Sequence, residues 1–472
     1  MEKMIGILSN INGFAYTYYL VGLLILVSIF YSFKLRFVQI SMLKEAFRVI
    51  TEKPDGKSDA LSSFQALTIS VASRVGIGNI AGIAVAVATG GSGAIFWMWV
   101  MAFFGGASAF AESTLAQIYK SHDGDGFKGG PAYYMKKALH QPWMGSLFAV
   151  VLILTYAFGF NGLQSYTMTS SFALYYPNPS EFEKSHWTIL IGLISSAISA
   201  ILFFGKGNLI GKVNAYVVPA MAIFYIALAL IATVLNISSL PTIILDIFKN
   251  AFDFKAIFGG FAGSAVVIGI KRGLFATEAG MGSAPNAAAS AHTTHPVKQG
   301  LVQALSVLIG VMICTSTAFL VLFSQAYVEK KATALPLVQM AMSEYFGPLG
   351  MHFVSIAVVC FALTSLIGNY YYAQANIKYL TNSKNVMLIF NICAVAMVFI
   401  GSQMNLKLAW ELADVLMAIM TTLNIIAIFF LSRIVTKTLK DYLDQRKLGK
   451  NPVFDPKKLN IQNTECWEDG KY

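Results

Sequence analysis

The feature that most constrains this chain is a series of long apolar segments that recurs along almost its whole length. A helix needs about 20 apolar residues to cross the hydrocarbon of a bilayer. Hydrophobic residues make up 56% of the chain and charged residues only 12%, whereas soluble domains carry about 25% charged residues. The sequence therefore predicts an all-α membrane protein with about eleven transmembrane helices. The expected spans are residues 15–33, 61–89, 94–118, 147–171, 187–204, 213–236, 256–272, 298–324, 350–378, 385–401 and 410–432.

The placement of lysine and arginine predicts how these spans are oriented. With the N-terminus outside, 26 of the 34 basic residues fall in segments on the cytoplasmic side, in agreement with the positive-inside rule. The net charge of +11 then suits loops that face anionic lipid and indicates no nucleic-acid partner. We expect a multi-pass protein of the cell membrane, in contact with the lipid bilayer, whose C-terminus is cytoplasmic.

The second span is interrupted by residues that disrupt a membrane helix. Its centre, SRVGIGNIAG, contains Arg74, Gly76, Gly78 and Asn79. Such breaks persist in membranes where they line a cavity, because the freed backbone groups need partners. One helix end then presents N–H groups that suit a carboxylate, and the other presents carbonyls that suit a cation. The alternative, that the glycines only allow close helix packing, is less consistent with the adjacent Asn79 and Arg74.

Arg74 is a charge within the membrane, for which a functional role is the default hypothesis. Glu112 in the third span and Glu278 after the seventh are candidate partners for an ion pair. The sequence does not choose between them. We favour a structural ion pair over direct contact between Arg74 and a substrate.

Three further spans carry polar or small residues within apolar surroundings. Gln164 in the fourth span either binds an ammonium group or bonds to a neighbouring helix. The seventh span, IFGGFAGSAVVIG, has the same interrupted character as the second. In the ninth span, Thr364 and Ser365 are adjacent hydroxyls that either contribute to a sodium site or bond back to the preceding turn.

The two interrupted spans stand in corresponding positions, which is typical of an inverted-repeat transporter. Spans two to six form one unit within residues 61–236, and spans seven to eleven form the other within residues 237–435. Because each unit holds five spans, the two have opposite orientations. Residues 1–60 add one N-terminal helix and a basic loop, and residues 436–472 form a cytoplasmic tail. No catalytic constellation or phosphate-binding loop is evident, which argues against an enzyme or an ATP-driven pump.

Four segments together resemble the alanine-or-glycine:cation symporter family, also called the sodium:alanine symporter family, over roughly residues 15–435. They are VGIGNIAGIAVAVATGGSGAIFWMW, GGPAYYM, RGLFATEAGMGSAPNAAASAHTTHPVKQG and TSLIGNYYYAQ. The resemblance implies a leucine-transporter-type fold with two inverted five-helix repeats and one extra N-terminal helix. It also implies import of a small neutral amino acid by alternating access, with sodium as the coupling ion and no other cofactor.

The resemblance further implies roles for particular residues. The backbone at Gly76, Ile77 and Gly78, with Asn79, would receive the substrate carboxylate, and Gln164 would help to hold its ammonium group. Phe261 and Ser264 would line the side-chain pocket. Thr364 would lie near both the ammonium group and the cation, and Val75 and Ser365 would bind the cation. Arg74, Glu112 and Glu278 would occupy gating or structural positions.

One departure from the family pattern bears on the substrate. Asn369 stands where a tryptophan is common, so the pocket is either larger or gains an amide partner. Glutamine therefore becomes a candidate beside alanine and glycine. The alternative functions are a cation channel that uses Arg74 as a filter charge, and a proton-coupled transporter.

Overall fold

The structure, a computed structural model, describes residues 2–52, 62–124, 126–205, 207–253 and 263–468. Within these residues the chain is helical apart from one short antiparallel hairpin. Eight helices are long and apolar enough to cross a membrane, and two bent helix pairs raise the number to ten. The all-α membrane class is thus confirmed. The count of eleven is not, since the seventh expected span, 256–272, begins outside the described ranges.

The helices and strands are numbered in chain order. The first half contains α1 (Glu2–Ala15), α2 (Val21–Lys34), α3 (Val38–Ser41), α4 (Leu43–Ile50), α5 (Ser63–Arg74), α6 (Ile83–Gly90), α7 (Gly93–Ile118), β1 (Ser121–Asp123), β2 (Gly126–Lys128), α8 (Pro131–Lys137), α9 (Pro142–Ile153), α10 (Asn161–Ser170), α11 (His186–Phe204), α12 (Gly207–Leu235) and α13 (Leu240–Ala251). The second half contains α14 (Ala265–Thr277), α15 (Pro285–Ala289), α16 (Pro296–Leu322), α17 (Gln325–Val328), α18 (Ala334–Phe346), α19 (Pro348–Leu380), α20 (Lys384–Ser402), α21 (Leu406–Phe430), α22 (Ser432–Lys447) and α23 (Glu465–Glu468). Wider π-helical turns occupy Tyr16–Leu20, Gly78–Gly82 and Leu154–Phe160, and 3-10 turns occupy Ala173–Tyr175 and Pro179–Lys184.

The second span is broken where the sequence predicted it. Helix α5 ends at Arg74, Val75 leaves the helical conformation (φ −80°, ψ 79°), and the chain resumes through the turn Gly78–Gly82 into α6. The two halves meet at a bend of 51°. The first break therefore lies at residues 75–77, between two helix ends.

A second break follows α14 in the described residues. Helix α14 ends at Thr277, the next residue, Glu278, has a left-handed backbone (φ 51°), and Gly280 and Gly282 also have positive φ before α15 begins. The glycine cluster from which the sequence predicted a break spans Gly259–Gly263, and only Gly263 of that cluster is in the described residues, so a break at this cluster stays a prediction. The break after α14 is built from the polar, glycine-containing segment 278–284, because glycine tolerates the positive φ that this sharp turn requires.

Close packing of α14 on α7 sets the position of the second break. A side chain at Gly269 would collide with the backbone of Ala94, and one at Gly273 would lie 3.2 Å from Met101 Cβ. These glycines let the two helix backbones approach closely, as small residues do at membrane helix interfaces. The end of α14 is thereby held against the first break.

The segment after α22 packs onto one end of the helix bundle. Phe454 N donates to Thr294 O at 2.9 Å, and Trp467 Nε1 donates to Gln117 O at 2.9 Å. The tail therefore lies on the same face of the protein as the hairpin β1–β2 and the loop before α16.

Candidate functional site

Three of the residues predicted from different spans meet at the first break. A side chain added at Gly76 would lie 2.5 Å from Ser365 Oγ and 3.1 Å from Gln164 Nε2. The absence of a Cβ at Gly76 is what lets α10 and α19 approach the break. All three residues are buried. The structure thus brings together the break after α5, the Gln164 amide and the Ser365 hydroxyl.

The hydroxyls of α19 differ in what they bond. Ser365 Oγ donates to Ala72 O at 3.2 Å, across the gap to the last turn of α5. Thr364 Oγ1 instead lies 3.0 Å from the carbonyl oxygens of both Cys360 and Phe361 in its own helix, which is the back-bonded alternative. Ser365, and not Thr364, therefore faces the carbonyl end of α5.

Asn79 fastens the break to α16. Its Nδ2 donates to Gly310 O at 3.1 Å and contacts Cys314 Sγ at 3.2 Å, while its Oδ1 accepts from Gly76 N at 3.4 Å. The side chain therefore holds the turn from behind. Its contact with a substrate carboxylate stays a prediction.

An aromatic layer formed by Phe275, Phe160 and Trp410 covers one side of the break. Phe275, at the end of α14, packs so closely on Gly78 that a Cβ there would collide with its ring. The Phe275 ring centroid lies 4.8 Å from that of Phe160 and 5.2 Å from that of Trp410. A cavity of about 520 Å³ adjoins this layer and is lined by residues that include Tyr166 and Trp410. Neither Phe275 nor Trp410 was among the residues predicted from the sequence. Their aromatic character was the only indication that they could cover a polar break.

Neither of the residues predicted for the side-chain pocket is placed at the break by the structure. Phe261 lies outside the described residues. Ser264 caps the start of α14, where its hydroxyl accepts from Val267 N at 3.4 Å. That end of α14 packs beside Gly90, the last residue of α6. The roles predicted for Phe261 and Ser264 in the side-chain pocket stay predictions.

A layer of amides lies next to the break. Asn369 Nδ2 donates to Asn161 Oδ1 at 3.0 Å, and Ser73 Oγ lies 3.5 Å from Asn369 Oδ1. Two buried amide atoms on α10 have no protein partner: Asn161 Nδ2, a donor, and Gln164 Oε1, an acceptor. Because buried polar groups are nearly always paired, these atoms are free to bind a ligand.

Arg74 is held by α16 rather than by a carboxylate. Its Nη1 donates to Gln303 O at 3.2 Å and also contacts Ser306 Oγ. Its Nε and Nη2 are buried without a hydrogen-bond partner. In the described residues, Arg74 forms no ion pair within 4 Å with Glu112 or with Glu278, so the predicted ion pair is wrong. Arg74 interacts with both carboxylates electrostatically over a longer distance.

The two glutamates organise the second break. Glu112 accepts from Gly280 N at 3.3 Å, from Gly282 N at 3.0 Å and from Asn424 Nδ2 at 2.6 Å. Glu278 accepts hydrogen bonds from the hydroxyl of Ser73 on α5 and from the hydroxyl of Ser283 in the turn before α15. The gating or structural positions predicted for these residues thus coincide with the turn between α14 and α15.

The sodium:alanine symporter family matches residues 1–456 of this sequence. The chain belongs to that family. It is a sodium-coupled amino-acid symporter and not an enzyme.

Individual relatives match this symporter over nearly their whole length. The probable sodium/glutamine symporter GlnT of Bacillus subtilis (strain 168) is 45% identical over 470 residues, which is 99% of this chain and 96% of that protein. The sodium/alanine symporter AgcS of Methanococcus maripaludis is 33% identical over 452 residues, 94% of this chain and 98% of that protein.

A solved structure matches the fold of the symporter. The crystal structure of MhsT in complex with L-phenylalanine aligns with a TM-score of 0.56 at 13% sequence identity, over 81% of this chain and 99% of that chain. At this identity the likeness concerns the fold alone, and it confirms the leucine-transporter-type architecture that was expected.

Proposed function

We propose that this symporter imports glutamine, with the amino-acid backbone bound at the first break and the side-chain amide bound by Asn161 and Asn369. The observation that carries the proposal is the pair of unpartnered buried amide atoms on α10, Asn161 Nδ2 and Gln164 Oε1. The 45% identical relative named a probable sodium/glutamine symporter supports the same substrate.

The backbone of the substrate matches the two kinds of group at the break. The first N–H groups of a helix have no partner within the helix and carry partial positive charge, so Ile77 and Gly78 suit the carboxylate. Gln164, whose Nε2 lies beside Gly76, has in Oε1 an unpaired acceptor that suits the ammonium group. Phe275 then covers the bound molecule on its outer side.

The side-chain amide of the substrate has a matching partner about one turn before Gln164, at the start of α10. Asn161 Nδ2 is a donor without an acceptor, and a glutamine carbonyl oxygen would accept from it. Alanine has no such group and would leave the donor unpaired. A site built to bond a polar group discriminates strongly against a substrate that lacks it.

Sodium is assigned to the carbonyl end of α5. The Ala72 carbonyl and the Ser365 hydroxyl already face each other there, and oxygen ligands of this kind suit a small hard cation. The Val75 carbonyl and Thr364 are the remaining candidates for ligands. Sodium would thus neutralise the partial negative charge of the helix end.

The orientation of the symporter follows from its basic segments. The tail, the hairpin β1–β2 and the loop before α16 pack together on one face. The sequence places lysine and arginine in the tail, Lys128 in the hairpin and Lys298 in the first turn of α16. We assign this face to the cytoplasm, which puts the N-terminus outside.

Uptake into proteoliposomes tests the substrate and the coupling together. Glutamine accumulation that requires an inward sodium gradient and exceeds alanine accumulation at least about tenfold, the value of one good hydrogen bond, is the expected result. Equal accumulation of alanine and glutamine would refute the side-chain assignment. Ion flux without amino-acid accumulation would favour a channel.

A matched pair of variants on α10 locates the amide site. Asn161→Leu should reduce glutamine uptake about tenfold or more while alanine uptake changes less, because it removes the unpaired donor. Ser165→Ala is the control, since Ser165 Oγ donates to Val398 O of α20 and not to the amides of Asn161 and Asn369. Equal losses for both amino acids in Asn161→Leu would contradict the proposal.

A further inference from the structure

Three charged side chains are buried between the two helix breaks, and their charges do not balance. Arg74, Glu112 and Glu278 are each at most 2% exposed. In the described part of the chain, no nitrogen of a basic side chain lies within 4 Å of either carboxylate as an ion-pair partner. One arginine against two ionised glutamates leaves a net charge of −1. An uncompensated buried charge is strongly unfavourable, so a proton or another cation is required.

Glu112 is built to stay ionised. All three of its partners are N–H donors: Gly280 N, Gly282 N and Asn424 Nδ2. The amide of Asn424 is fixed in this orientation because its Oδ1 accepts from the Tyr134 hydroxyl. An N–H group cannot accept a hydrogen bond. A proton on Glu112 would therefore displace these donors and find no acceptor among them.

Glu278 has partners of the opposite kind. Ser73 Oγ lies 2.9 Å from Oε1, and Ser283 Oγ lies 2.8 Å from Oε2. A hydroxyl both donates and accepts, so either serine can turn to receive a hydrogen bond from a protonated Glu278. Both distances are those of ordinary O–H···O hydrogen bonds, which leaves no space for a metal ion between the oxygens.

The other titratable groups around Glu278 do not take its proton. Arg74 on α5, Tyr156 on the turn before α10 and Tyr372 on α19 interact with it electrostatically. An arginine stays charged at any physiological pH, and a phenol is neutral there. Arg74 therefore supplies one fixed positive charge, and Glu278 is the group whose state can change.

We propose that Glu278 is a proton-binding site whose proton alternates with the sodium ion. Ser73, which bonds Glu278, adjoins Ala72, which carries the proposed sodium ligand, so the two sites are close enough to sense each other's charge. The carboxylate is ionised while sodium is bound. After sodium leaves to the cytoplasm, Glu278 takes a proton from water on that side, and the next sodium ion displaces it to the outside. One proton thus moves outward in each cycle, with both carboxylate and sodium site restored.

This proposal rests on the proposed sodium site, and the dependence of uptake on pH tests it. Sodium-driven uptake is measured in proteoliposomes from about pH 5 to about pH 8, a range in which buried carboxyl groups titrate. In the wild type, the half-saturating sodium concentration should be at least about fivefold higher at the acidic end, the lower bound of typical couplings between two sites. Glu278→Gln imitates the protonated form, so its sodium requirement should stay high at every pH. Glu344→Gln, on α18 away from the breaks, should retain the wild-type dependence.

Two results would overturn the proposal. They are a wild-type sodium requirement that does not change with pH, and a Glu278→Gln variant that keeps the wild-type change. Absence of sodium-driven uptake at every pH would instead refute the proposed function itself.

Infrared difference spectroscopy provides a second test if Glu278→Gln does not fold. The carbonyl stretch of a protonated carboxylic acid should disappear when sodium is added to the purified wild-type protein, and Glu278→Asp should shift that band. A sodium-induced spectrum without a carboxylic-acid band would overturn the proposal, as would a band unaffected by Glu278→Asp.

Discussion

Adding one methyl group at Gly76 should separate the steric role of the first break from its role in binding sodium. The new Cβ would lie 2.5 Å from Ser365 Oγ, whereas ordinary contact begins at 3.4 Å, so the hydroxyl must retreat by 0.9 Å. Its 3.2 Å hydrogen bond to Ala72 O would then break. Overpacking costs about 1–3 kcal/mol, and leaving a buried carbonyl unpaired costs about 1–3 kcal/mol more. Gly76→Ala should therefore lose about 2–6 kcal/mol of stability.

The sodium requirement of transport should change for a distinct reason. If the displaced Ser365 hydroxyl is a sodium ligand, the loss of about 1.4 kcal/mol of its interaction raises the half-saturating sodium concentration about tenfold. Ser365→Ala alone should raise that concentration and lose only the stability that the unpaired Ala72 carbonyl costs, about 1–3 kcal/mol. In Gly76→Ala combined with Ser365→Ala, the nearest atom becomes Gln164 Nε2 at 3.1 Å. The double variant should therefore recover the stability lost to overpacking but not the sodium affinity.

Thermal unfolding in detergent and sodium-dependent uptake in proteoliposomes measure the two effects. Gly22→Ala is the matched control, because no atom lies within 4 Å of a Cβ added there, and it should be neutral or slightly stabilising. Wild-type stability and sodium dependence in Gly76→Ala would refute the steric reasoning. Recovery of wild-type sodium affinity by the double variant would remove Ser365 from the sodium site.

Two further predictions concern the face onto which the tail packs. Trp467→Ala removes the hydrogen bond to Gln117 O and a ring whose centroid lies 4.9 Å from Lys120 Nζ. Trypsin should then cleave the tail faster at Lys457 and Lys458. An unchanged cleavage rate would show that the Trp467 ring does not hold the tail. A hydrogen bond with His295, with Lys458 adding to it, lowers the pKa of Asp441 to about 2. The stabilisation is therefore complete above the unfolded value of about 3.9 and is lost as the pH falls toward 2. Asp441→Asn should lower the melting temperature near neutral pH and approach the wild type in acid, and a pH-independent difference would contradict this.

The sequence was sufficient for the first break and insufficient for the second. Around Gly76, helix-breaking residues interrupt an apolar run, and that contrast is visible in the residues themselves. The apolar run containing Gly263 lies largely outside the described residues, so an interruption there stays a prediction. The turn after α14 begins at Glu278, where the chain is already polar and resembles an ordinary loop, so no contrast with an apolar run marked it as a break.

Contacts between distant helices were beyond the sequence for a geometric reason. Which side of a membrane helix faces its neighbour depends on rotation about the helix axis, and apolar residues surround the helix on every side. Arg74 could therefore be identified as buried, but not as bonded to Gln303 and Ser306 of α16. Gln164 and Ser365 were found because their polarity alone marked them as facing protein.

The contacts between the breaks also explain how a cation at one break could close the protein on the side that carries the tail. Ser365 bonds the carbonyl of Ala72, and the next residue, Ser73, bonds Glu278 at the start of the second break. That break continues into α15, where Asn286 Oδ1 accepts from Asn376 of α19 at 3.0 Å. Coupling needs a contiguous element with two arrangements that both sites bias. The segment from Glu278 to Asn286 meets the first condition, and protonation of Glu278 would supply the two states.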